Sequence, residues 1–293
     1  MNAIFRNSLN KSRGAILGWG IGLGLLGAMF VPIYDTFKEQ AELMTQMMDI
    51  YPPELMAFFG DFSSITTPDG FLSIEYFAII PLVLAIYAIG AGSRLVVGDE
   101  ENGTLDLIAA HPISRSNLFY GRLVAFISAV GLILVLAYLG IYIPAQITNM
   151  GLTAAELLTP FLSMFAYLLL FGTLSLILSL VLPSKRMASM AAGIIMVADF
   201  FIQGFASSYS ELESVAAVLP LKFLQRSGWI DGLELGWFFG LIGVAALFSL
   251  VAWWRFLRRD IRVGGEGSWE LPSFGFRSSK KRDMTEHAEV SGD

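Results

Sequence analysis

Histidine and cysteine most often bind metals or start covalent chemistry. They are nearly missing here: the 293 residues hold two histidines, His111 and His287, and no cysteine. That excludes disulfides, thiolate metal sites, a cysteine nucleophile and a polyhistidine metal centre. No Gly-x-Ser-x-Gly elbow marks a serine hydrolase, and no His-Glu-x-x-His marks a zinc peptidase. None of the six lysines follows a glycine, so the phosphate loop that would cradle ATP is missing. Two features remain. One is a run of charged and helix-capping residues from 99 to 115. The other is Asp199 with Gln203 one helical turn further on, both inside an apolar block.

The elements that must position these residues are apolar throughout. Hydrophobic residues make up 55% of the chain and charged residues 15%, too lopsided for one soluble core. Six blocks reach the roughly 20 residues that a membrane helix needs: 15–37, 73–97, 118–143, 158–182, 188–207 and 235–256. None shows the two-residue alternation of a barrel strand. The expected fold class is an all-α polytopic membrane protein with six transmembrane helices, because a spanning segment must satisfy its own backbone hydrogen bonds. The first block is too long for a signal-peptide core, has no small-x-small cleavage site, and reads as a retained span.

With both termini placed inside, only Lys38, Lys222 and Arg226 of the 19 basic residues fall outside. This is the positive-inside pattern, and it puts both ends in the cytoplasm. The net charge of −6 does not conflict with that. Residues 35–75 alone carry eight acids against one lysine, all on the outer side.

Three domains follow. In residues 1–14, Ile4, Phe5 and Leu9 share one helical face while Arg6, Lys11 and Arg13 lie elsewhere. That suits an amphipathic helix in the inner headgroup layer, with a frayed basic terminus as the plainer alternative. Residues 15–257 form the six-span domain. Its long outer loop, 38–72, has a helix-compatible stretch over 39–48, then Pro52-Pro53 opening a short piece over 54–59 that Gly60 can end. A second outer loop runs through Asn149 and Thr153. The outer segment 209–234 is too apolar for a plain loop and reads as short half-inserted helices broken at Pro220, a re-entrant element. Residues 258–293 form a cytoplasmic tail read as largely disordered.

Between spans two and three, Thr104 can cap a short helix whose dipole Asp106 favours. Pro112 stops it, and Ser114 can cap span three. The expected result is a helix of about one and a half turns, lying across the cytoplasmic mouth and joined rigidly to two spans. Glu100 and Glu101 sit where span two leaves the bilayer, either as a polar hinge or as a solvated helix end. Arg115 pairs either with one of these acids or with lipid phosphate. Asp199 lies roughly 16 Å into span five at 1.5 Å per residue, near the bilayer centre, where a charge is costly. It is either a polar spot on a transport path, shared with Gln203, or the member of a buried interhelical hydrogen bond. In span one, glycines at 14, 18 and 22, and at 20 and 24, point to close helix packing, with dimerisation as the alternative. Trp237, Trp253 and Trp254 read as interfacial anchors.

The run Glu100-Glu101-Asn102-Gly103-Thr104-Leu105-Asp106-Leu107, followed by Pro112-Ile113-Ser114-Arg115, resembles the signature of type-2 ABC exporter permeases of the type V exporter fold. Tyr51-Pro52-Pro53-Glu54-Leu55, Thr67-Pro68-Asp69-Gly70-Phe71, Arg258-Arg259-Asp260-Ile261 and the six-span layout fit the same resemblance, which extends to about residue 262. It implies a non-catalytic permease subunit in the plasma membrane. It also implies a second permease subunit, as homodimer or heterodimer, and two separate ATPase subunits that bind ATP and Mg on the cytoplasmic side. The inner loop after span two would then be the coupling helix, over 103–110, and Glu100, Glu101, Gly103, Thr104, Leu105, Asp106, Leu107, Pro112 and Arg115 would form the ATPase-coupling site. The helix over 2–13 would make a second contact. Asp199 and Gln203 would be candidates for the translocation path. The cargo would be a hydrophobic or amphipathic drug, antibiotic, peptide or lipid. The long outer loop and acidic outer face depart from the family and leave the cargo open. No nucleic acid, cofactor or metal is expected on this chain itself. The competing readings are an autonomous secondary carrier driven by an ion gradient, although the two halves share no clear repeat, and an intramembrane enzyme, which lacks its motifs.

Overall fold

The computed structural model describes residues 2–40, 62–98, 114–148, 150–206 and 209–258. The expected loop helix over 39–48 from residue 41 on, that over 54–59, the coupling stub over 103–110 with Glu100, Glu101 and Pro112, and the tail beyond 258 lie outside them. Among the described residues every regular element is helical. Five helices are individually long and apolar enough to cross a bilayer: Arg13–Glu39, Arg115–Ile147, Ala154–Val181, Lys185–Ala206 and Leu235–Arg258. They are spans one, three, four, five and six.

Span two is where the expectation of one continuous helix over 73–97 needs correcting. It is a bent pair, Pro68–Phe77 and Ile80–Arg94, meeting at 41°. Pro81 lies in the first turn of the second piece. It has no N–H to offer Phe77, and its ring crowds the carbonyl four residues back. The helix answers with a wider turn over Ser73–Phe77 and a break. The first piece starts at Pro68 beneath a Thr67 cap, whose hydroxyl accepts from the Gly70 N–H at 3.2 Å. The last residues of the expected outer loop therefore belong to span two.

The spans sort into two blocks. In the first, span one packs along span three, and the N-terminal helix Asn2–Lys11 lies on span three as well. Gly20, Gly24 and Gly27 face Leu136, Gly140 and Ile141, and a Cβ on Gly140 would overlap the Gly24 backbone. Small residues let two backbones approach in a bilayer. In the second block, span four is the buried centre, with spans two, five and six packed around it. It opens with a capping box in which Thr153 and Glu156 bond each other's backbone N–H. Gly92 of span two meets Gly172 of span four so closely that a Cβ on Gly92 would overlap the Gly172 carbonyl. Spans two and three, although consecutive, share little packing along their length.

Candidate functional site

Two clusters of polar bonds lie at opposite ends of the bundle. One end carries the basic residues. There, span three starts at Arg115 under the expected Ser114 cap, whose hydroxyl accepts from the Asn117 N–H at 3.2 Å. Arg115 itself is exposed at the helix start. Two turns on, Arg122 is buried and its Nη1 donates to the Leu95 carbonyl at 2.9 Å. Leu95 follows the last regular residue of span two, where carbonyls have no intrahelical donor and the helix dipole is negative. A guanidinium suits that position. The neighbouring Ser93 accepts from the Ser189 hydroxyl of span five at 2.8 Å, and Gly92 abuts span four. Within four residues the foot of span two is thus fixed to spans three, four and five, immediately before segment 99–113 begins. Span six joins the same end through Trp253 Nε1 to the Ser116 hydroxyl at 3.2 Å and Arg255 Nε to the Leu180 carbonyl at 3.3 Å. Trp254 is half-exposed, with the Arg258 guanidinium over its ring at 4.4 Å.

At the other end, residues 209–234 form a cap of short pieces: the helix Ser210–Ala216 and the 3-10 turns Pro220–Phe223 and Trp229–Asp231. The expected break at Pro220 is present. Polar side chains of three spans bolt this cap down. The Leu221 N–H donates to Asp199 Oδ2 at 2.9 Å, and Gln203 Nε2 donates to the Ala216 carbonyl at 2.6 Å. The Gln225 N–H donates to the Ser163 hydroxyl of span four at 2.8 Å. Trp229, wholly buried, donates from Nε1 to the Ser73 hydroxyl of span two at 2.9 Å and sets its ring 6.0 Å from Phe77. The Gln225 side chain organises the cap itself. It donates to the Gly232 carbonyl at 2.8 Å and accepts from the Glu234 N–H at 3.0 Å. The chain wraps around that amide because Gly228 and Gly232 take φ values of 63° and 105°, which disfavour side chains.

Asp199 and Gln203 therefore come together, as their spacing predicts, and both reach the cap's backbone. The Asp199 partner is a cap N–H rather than a neighbouring span. Its second oxygen, Oδ1, and the Tyr167 hydroxyl are buried without a hydrogen-bond partner among the described residues. Arg226 of the cap is close enough to feel both groups. Burial pulls its guanidinium below the ordinary arginine value, while Tyr167 and Asp199 pull it back up.

The sequence reading counted Arg122 only as an inner charge and passed over Ser163, Gln225 and Trp229. For Arg122 a signal existed: an arginine about one turn inside an apolar block is costly and calls for a partner. No local signal marks Ser163 or Gln225, whose partners are 62 residues apart.

The pattern that defines the family described as "ABC-2 family transporter protein" matches residues 17–261. The chain belongs to that family and is a multi-pass ABC transporter permease, a membership that implies an ATPase partner. No curated protein matches the chain.

Proposed function

We propose that this permease is the membrane half of an ATP-driven exporter and moves a hydrophobic or amphipathic cargo outward or out of the bilayer. Two such subunits form the path, and two ATPase subunits dock at the basic, cytoplasmic end. Segment 99–113 receives the ATPase motion, with Glu100, Glu101, Gly103, Thr104, Leu105, Asp106, Leu107, Pro112 and Arg115 as its contact residues. The amphipathic helix Asn2–Lys11 lies in the inner headgroup layer as a second contact. Its half-buried Ile4, Phe5 and Leu9 and its exposed Arg6 and Lys11 support that placement.

The observation that carries this reading is the fastening of the foot of span two to spans three, four and five, directly before segment 99–113. A push on that segment then reaches most of the bundle without bending a loose loop. The cap acts at the far end as the outer closure that must be released for cargo to leave. To test the reading, the permease is co-expressed with its ATPase and residues 103–110 are deleted. We expect the complex to be lost, or ATP hydrolysis to stop responding to cargo. Unchanged complex and unchanged cargo-stimulated hydrolysis would reject the coupling role. Cargo flux driven by an ion gradient without any ATPase would favour the secondary carrier.

A further inference from the structure

We propose that Arg122 is a positioning residue that ties the two blocks of the bundle together at the point where force enters. This deepens the exporter reading and rests on it for the direction of the force, but not for the bond itself. Segment 99–113 leaves from span two, which belongs to the block centred on span four. It returns to span three, which belongs to the block shared with span one. It therefore straddles the seam between the blocks. Span three packs on spans four and six across that seam, but spans two and three, which carry the two ends of the segment, have little direct packing. The Arg122–Leu95 bond crosses it roughly 10 Å above the start of span three, at 1.5 Å per residue.

Three properties suit this bond to carrying strain. The donor is a full charge and the acceptor is a carbonyl at a helix C-terminus, which makes the bond stronger than a neutral pair. The guanidinium is buried, so water does not compete for it. The acceptor belongs to the backbone, so a pull on Arg122 moves the helix and not a side chain. Among the described residues Arg94, the other arginine at this helix end, bonds its own span, Nε to the Gly90 carbonyl at 2.8 Å. The link to span five, Ser93 with Ser189, is a neutral hydroxyl pair. Spans two and five also pack on each other, whereas spans two and three meet sparsely, so the seam between spans two and three leans on this one bond more than the contact with span five leans on its hydroxyl pair.

The test uses the lack of cysteine in the chain. Spin labels go on Arg94→Cys and Asn117→Cys, both exposed at the feet of spans two and three, in the full transporter reconstituted with its ATPase. Between nucleotide-free and vanadate-trapped states, the 94–117 distance is expected to hold to within about 2 Å, the scale of ordinary helix adjustment. Arg122→Met is expected to broaden that distribution already in the nucleotide-free state and to cut cargo moved per ATP roughly tenfold, an ordinary coupling magnitude. Arg122→Lys, which keeps a charged donor, is expected to recover most of both. A merely structural role would lower hydrolysis and transport together and leave their ratio alone. A 94–117 pair that separates on nucleotide binding in the otherwise unaltered protein overturns the proposal without any Arg122 variant, even if Arg122→Met fails to fold. So does an Arg122→Met protein with a native distribution and a native ratio. If no ATPase couples to this chain, the exporter reading fails, and the nucleotide-free distribution of the permease alone still decides whether Arg122 holds the seam.

Discussion

The basic end and the cap end of the bundle are both closed by polar bonds, but in different ways. At the basic end, fixation comes from backbone proximity: Gly92 lies on Gly172, and Arg122 and Arg255 each grip a carbonyl at the end of another span. At the cap end, it comes from side chains of the spans reaching up to a separate polypeptide segment, through Asp199, Gln203, Ser163 and Ser73. The first kind of joint transmits displacement, because moving one helix moves the next. The second kind joins the spans to a segment outside them, although its Leu221, Leu224 and Trp229 are buried in the same core as the spans. On the proposed exporter reading, drive enters at one end and cargo leaves at the other, and that asymmetry suits the cycle.

The largest effect should come from attacking the backbone contact. Gly92→Leu has no room to relax, since the first added carbon already overlaps span four. We expect no monodisperse protein by size-exclusion chromatography. Gly18→Leu, on the open side of span one where a Cβ meets nothing, should run like the parent. If both variants elute alike, the rigid-foot side of the comparison is broken.

Next in size is Trp229→Ala. Removing a wholly buried indole costs about 3–5 kcal/mol in protein cores. Here the loss should appear as faster hydrogen exchange confined to residues 209–234, with the spans protected. Exchange that instead spreads through span two would mean that the cap is part of the core and not a separable closure.

Asp199 sharpens the comparison at a finer level. Asp199→Asn keeps an oxygen acceptor for the Leu221 N–H and should change cap exchange little. Asp199→Leu leaves that buried N–H unpaired, at a cost of about 1–3 kcal/mol, and should speed exchange at Leu221 above all. Equal effects from both variants would mean that the charge of Asp199, rather than its hydrogen bond, is what matters to the cap.

The smallest effect is expected from Ser93→Ala. Interhelical hydrogen bonds in membranes average about 0.6 kcal/mol, so the thermal melt of the purified permease should fall only slightly. A loss comparable to that of Trp229→Ala would contradict the view that the contact with span five leans on helix packing more than on its hydroxyl pair.

Much of the architecture was legible beforehand. Long apolar runs located five helices to within a few residues, because a bilayer tolerates little else. Ser114 and Pro220 were legible because caps and proline breaks are local events. The bend in span two was legible in principle, since Pro81 is in plain view, but hydropathy averaged across it. The glycines of span one divided in a way that spacing cannot reveal: Gly20 and Gly24 meet span three, whereas Gly14, Gly18 and Gly22 meet nothing among the described residues. Their periodicity is the same, and only the direction of the partner differs.

Composition and spacing alone determined that the chain crosses a membrane as helices and holds no phosphate loop. They also singled out the segment between spans two and three as its most distinctive stretch. These follow from hydrophobic length, charge and local capping, which act over a few residues. Tertiary structure decided which spans share a block, that Arg122 bridges them, and that Asp199 holds the cap through Leu221. Those outcomes depend on pairs of groups 22 to 156 residues apart. A buried polar atom must find some partner, but nothing in its local sequence says which one.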